Sequence, residues 1–114
     1  MINTKTRLSF NIFSTYTNSS GNLTYWDDDE LISYVNGMTY IGGYTNTFDV
    51  ISESIDMFID DNVSTNRQST LILITDGLPC LPNSLGGCPQ SVCSLGTTIK
   101  QNSMYVHIYI FNNL

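Results

Sequence analysis

At 114 residues the chain holds one domain at most, and with 41% hydrophobic residues it can bury a real but small core. Only 12% of the residues are charged, Asn, Ser and Thr are abundant and Ala is absent, a composition too apolar and aromatic for a disordered chain. The net charge of −6 leaves no basic patch, which argues against nucleic acid or an anionic membrane as partner and is compatible with cation binding. No stretch reaches the length of a membrane-spanning helix, and residues 1–7 lack the apolar heart of a signal peptide, so on its face the chain is neither exported nor anchored.

The first predicted element is a strand over residues 7–14, where Leu8, Phe10 and Ile12 alternate with Ser9 and Asn11. Asn18-Ser19-Ser20-Gly21-Asn22 is turn chemistry, and residues 23–26 read as the second strand of a hairpin. Asp27-Asp28-Asp29-Glu30 resembles a metal loop, but a helix start explains it better: Asp27 caps, Glu30 closes a capping box, and first-turn acids suit the helix dipole. That helix carries Leu31, Ile32 and Val35 inward and stops near Gly37. A second helix is predicted over Thr47–Asp60, with Phe48, Ile51, Ile55, Phe58 and Ile59 on one face and Asp49, Glu53, Asp56 and Asp60 on the other. A polar connection over residues 62–69 leads to an apolar strand over residues 70–75. Residues 78–90 contain every proline and the Gly86-Gly87 pair and read as irregular. Residues 91–102 read as a helix with Val92, Leu95 and Ile99 on one side, and residues 104–111 as a second apolar strand in which His107 is packed and neutral. The order β-β-α-α-β-α-β points to an α/β sheet.

Cys80, Cys88 and Cys93 all fall in one loop. Their spacing matches no common zinc pattern, which leaves one disulfide, Cys80 with Cys88 or Cys93, or three free thiols. Asn18, Asn22 and Asn62 each begin an N-x-[ST] triplet, which chance alone supplies in a chain this rich in those residues.

Two segments carry the functional reading. Leu71-Ile72-Leu73-Ile74-Thr75-Asp76-Gly77 is an apolar run that ends at an acid and a glycine. Such a run fits a strand buried on both faces, and an acid just past it lies where open α/β sheets place their ligand crevice. Some thirty residues upstream, Gly42-Gly43-Tyr44-Thr45-Asn46-Thr47 places hydroxyl and amide groups in a loop that opens a helix. One carboxylate and one hydroxyl at a shared edge are hard oxygen ligands suited to Mg²⁺ or Mn²⁺.

Together with the amphipathic helix between them, these segments resemble a von Willebrand factor type A domain, the doubly wound fold also seen in integrin I domains. Arg7-Leu8-Ser9-Phe10-Asn11-Ile12-Phe13-Ser14 is similar to the family's second strand, and Leu23-Thr24-Tyr25-Trp26 to its antiparallel third. The resemblance implies a Rossmann-like, mostly parallel sheet with one antiparallel strand over residues 1–114. It implies a metal-ion-dependent adhesion site in which Thr45 supplies a hydroxyl and Asp76 a carboxylate, with Gly43, Tyr44, Asn46 and Gly77 on the ligand-binding rim. An acidic group from a protein or extracellular-matrix partner would complete the coordination, in a binding protein rather than an enzyme, with an extracellular or cell-surface setting favoured over a cytoplasmic one.

The family's Asp-x-Ser-x-Ser motif is absent; Asp60-Asp61-Asn62-Val63-Ser64 follows a helix, not a strand. The family's first strand and helix and its C-terminal elements also lack counterparts. A fragment of a longer product is favoured over a degenerate domain, because losing a central strand exposes its neighbours' edges. Two other functions stand beside the adhesion reading: a metal-free scaffold for complex assembly and, more remotely, a phosphoryl-transfer enzyme using Asp76, for which no phosphate-cradling Gly-Lys loop is found.

Overall fold

The computed structural model describes residues 6–60 and 68–110. The architecture is mixed α/β, in the order anticipated: strands β1 (Asn11–Phe13) and β2 (Thr17–Ser19), helices α1 (Asp28–Asn36) and α2 (Thr47–Asp60), strand β3 (Thr70–Thr75), helix α3 (Leu95–Gln101) and strand β4 (Tyr105–Ile110). β1 and β2 pair antiparallel; β3 and β4 form a separate parallel pair, with Leu71 opposite Val106 and Leu73 opposite Ile108. All of the polar connection but Gln68 and Ser69, with Asn62 and most of the Asp60-to-Ser64 segment, lies outside the described residues, as does Phe111.

The hairpin reverses earlier than its turn residues suggest. The chain turns through Ser14, Thr15 and Tyr16, so Asn18 and Ser19 stand in β2 rather than in the turn. Of the strand expected over residues 23–26, only Thr24 pairs, in an isolated bridge to Leu8. Between bridge and hairpin, Ser20 Oγ accepts from Phe10 N at 2.9 Å, and Ser9 Oγ donates to the Gly21 carbonyl at 2.6 Å. These hydroxyls take over ladder positions, which is why a serine-rich stretch that reads as a loop runs as part of a ribbon.

α1 begins as its sequence dictates. Asp27 Oδ1 accepts from Glu30 N at 2.8 Å, and Glu30 Oε2 from Asp27 N at 3.3 Å. Gly37 ends the helix, its N–H bonding the Ser33 and Tyr34 carbonyls. The inward face differs from expectation: Ile32 and Val35 are exposed, while Leu31 is half-buried and Tyr34 faces the hairpin. Tyr34 lies 5.3 Å from Phe10 and 5.2 Å from Trp26 between ring centroids. Aromatic contact with the ribbon sets the helix rotation, since such rings carry large buried area and favourable edge geometry.

α2 has the predicted bounds, and its apolar stripe is the centre of the molecule. Val50, Ile51 and Ile55 form a buried cluster with Leu73, Leu95 and Met104, and Phe48 and Phe58 pack against it while Ile59 remains exposed. Each such aliphatic side chain contributes about 1.5–3 kcal/mol by leaving water. Polar ties fix the helix to the hairpin: Asn11 Nδ2 donates to Ser54 Oγ at 2.8 Å, and Thr17 Oγ1 to Glu53. α3 is shorter than its predicted span, but Leu95 is buried and Val92 and Ile99 pack on the core as the spacing requires. A left-handed residue, Ser103 at φ 51°, turns the chain into β4.

β3 is not buried on both faces. Leu73 is 5% exposed, whereas Ile72 and Ile74 are 60% and 63% exposed, because the helices among the described residues cover one side of the parallel pair. His107, opposite Ile72, is likewise exposed rather than packed.

Candidate functional site

The residues singled out in the sequence gather where α2 begins and β3 ends. Asn46 sits at the start of α2: its carbonyl accepts from Val50 N and its Oδ1 from Asp49 N at 3.3 Å, the bond of an N-capping side chain. Its amide nitrogen donates to the Thr15 carbonyl at 2.9 Å and to Asp49 Oδ2 at 2.7 Å. Asn46 is 3% exposed. A side chain so enclosed and so fully bonded organises the loop.

Gln90, in the proline-rich loop, completes this network. Its amide nitrogen donates to Asn46 Oδ1 at 2.8 Å while its Oε1 accepts from Phe48 N at 3.0 Å. One otherwise unpaired donor of the first helical turn, Phe48 N, is thereby satisfied from a distant loop, while the Asn46 cap serves Asp49 N. Sequence reading missed Gln90 and Thr15, which have no local signal: each acts on residues far along the chain.

Gly43 is also explained by packing. Its φ is +140°, and a Cβ there would lie 2.8 Å from Thr15 Oγ1, which itself accepts from Tyr44 N at 3.2 Å. A side chain would collide with the β1–β2 turn and strain the backbone. Tyr44 remains half exposed.

Thr45 and Asp76 occupy the adjoining edge. Thr45 pairs with Cys80 through two backbone bonds of 3.0 and 2.9 Å, which hold the β3-to-α3 loop against the start of α2. Beyond Asp76, a Cβ on Gly77 would lie 3.3 Å from Thr45 Oγ1, so the glycine lets this hydroxyl approach the chain next to the acid. Gly77 N donates to Thr75 Oγ1 at 3.3 Å, which shapes the turn, and Asp76 is exposed. The structure thus brings Thr45, Asp76 and Gly77 to one edge, at the C-terminal end of a parallel strand. The donors present are a hydroxyl and a carboxylate, a fit in kind for Mg²⁺ or Mn²⁺ but short of its six oxygens. Among the described residues no three His, Cys, Asp or Glu side chains cluster as a metal site.

The three cysteines resolve into a Cys80–Cys88 disulfide and an exposed free Cys93. Asp27 and Glu30 cap α1, as the bland reading of that acidic run requires. Among the described residues no helix is long and apolar enough to cross a membrane. No family model matches the chain, and no curated protein or solved structure matches it.

Proposed function

We propose that the chain acts as a protein-binding module of the von Willebrand type A kind, engaging an acidic group on its partner through Mg²⁺ or Mn²⁺ at the C-terminal edge of β3. The supporting observation is the approach of Thr45 Oγ1 to Gly77, immediately after the Asp76 carboxylate. In this reading the doubly wound sheet of that family is the frame in which the β3–β4 pair belongs. Asp76 supplies charge, Thr45 a neutral oxygen, and the partner's carboxylate supplies what two protein oxygens leave open. Binding is favoured over catalysis here because the oxygen pair that the edge offers, a carboxylate and a hydroxyl, is of the kind a hard cation takes.

Calorimetric titration of Mn²⁺ into the protein, with and without acetate as a surrogate partner group, tests the reading. Weak, acetate-enhanced binding is expected, lost in Asp76→Asn and reduced in Thr45→Val. Equal heats from the wild type and Asp76→Asn would overturn it.

A second reading, a metal-free scaffold, is favoured by the exposed side chains of Ile72 and Ile74, which offer a contact surface that needs no cation. Partner capture that survives both chelator and Asp76→Asn would select this reading over the first.

A further inference from the structure

Away from that edge, the corner between the hairpin and α1 encloses an open concavity of about 520 Å³. Its walls are Thr24, Tyr25, Trp26, Glu30, Ser33 and Tyr34, none of which belongs to the Thr45–Asp76 edge. Half of these residues are aromatic, and two of them, Trp26 and Tyr34, pack on each other and on Phe10. Trp26 Nε1 donates to the Leu8 carbonyl at 3.1 Å, and Phe10 backs the indole edge-on at 5.7 Å. Trp26 and Tyr34 are tilted by 58° to one another, so they shape an angled corner rather than a flat platform.

The same cavity carries a fixed negative charge. Glu30, the acid among its lining residues, is held at the wall by the capping box, its carboxylate accepting from Asp27 N at 3.3 Å. The chain as a whole carries −6. Aromatic faces attract cations through their quadrupoles, most strongly for Trp, and an adjacent carboxylate adds to that attraction. Aromatic walls are poor ligands for a bare metal ion, but they suit a cation that is large, soft and weakly hydrated.

We infer that this concavity binds an organic cation with a methylated ammonium head, the chemistry shared by choline-type headgroups and trimethylated lysine side chains. Tyr25, Trp26 and Tyr34 receive the methyl groups, and Glu30 balances the charge. The site is independent of metal binding at the β3 edge.

Trp26 is the only tryptophan, so its emission reports directly on the cavity. Choline is expected to change that emission saturably, while its neutral tert-butyl isostere has little effect. Glu30→Gln removes the charge and keeps a residue able to close the capping box, so helix content by circular dichroism is unchanged while choline binding weakens roughly three-fold. Phosphocholine and a trimethyllysine peptide, titrated in parallel, identify the source of the head by which binds more tightly. Equal responses to choline and its isostere, a response to neutral saccharides alone, or no saturable response to any methylammonium compound would each overturn the inference.

Discussion

Asn46 does more for this molecule than the residues around it that look more chemical. It caps α2, holds the β1–β2 turn through Thr15 and accepts from Gln90, all while buried. Asn46→Ala removes the cap and strands the groups it pairs, so a loss of about 2 kcal/mol is expected in urea unfolding. A loss no greater than that of an exposed substitution would show that the network is ornamental. The Gly-Gly-x-Thr-Asn-Thr stretch already allows a capping loop, since Asn before an amphipathic run is a helix start. That Asn46 is also the hub of a three-loop network was not legible, because Gln90 and Thr15 reach it only after the chain has folded.

At the level of elements, the bounds of α2 and β3 were readable to the residue, whereas the hairpin was not. Long periodic segments announce themselves because many side chains repeat one instruction. The hairpin's register depends on Ser9 and Ser20 hydroxyls standing in for backbone partners, which no pattern of apolar residues encodes. β3 shows the other limit: its uninterrupted apolar run says that the strand can be covered on both sides, but not what covers it. Neighbouring positions on β3 therefore differ sharply in consequence. Leu73→Ala opens the central cluster and is expected to cost about 3 kcal/mol, while Ile74→Thr, on the open face, costs under about 0.5 kcal/mol. Chemical denaturation of the two variants checks this, and similar losses would mean that the second face is covered as well.

Across the whole molecule, the two strand pairs share no strand, and α2 joins them by packing against β1 on one side and contributing to the cluster that holds Leu73 on the other. The loop after β3 adds further ties, Cys80 to Thr45 and Gln90 to Asn46. That loop is itself closed by the Cys80–Cys88 bridge, eight residues apart in sequence. The cysteine count allowed such a bridge, but not its attachment to the start of α2. A covalent closure of this size restricts the unfolded chain by about 2.5 kcal/mol on the loop-entropy scale. Thermal unfolding with and without a thiol reductant, and of the Cys80→Ser and Cys88→Ser pair, is expected to show that loss, with equal midpoints counting against it. The consequence reaches past stability: Cys80, one end of this bond, is also the residue paired with Thr45, so the redox state of the bond bears on how firmly Thr45 is held beside Gly77. A change of compartment can then act on the edge without any change in the residues that form it.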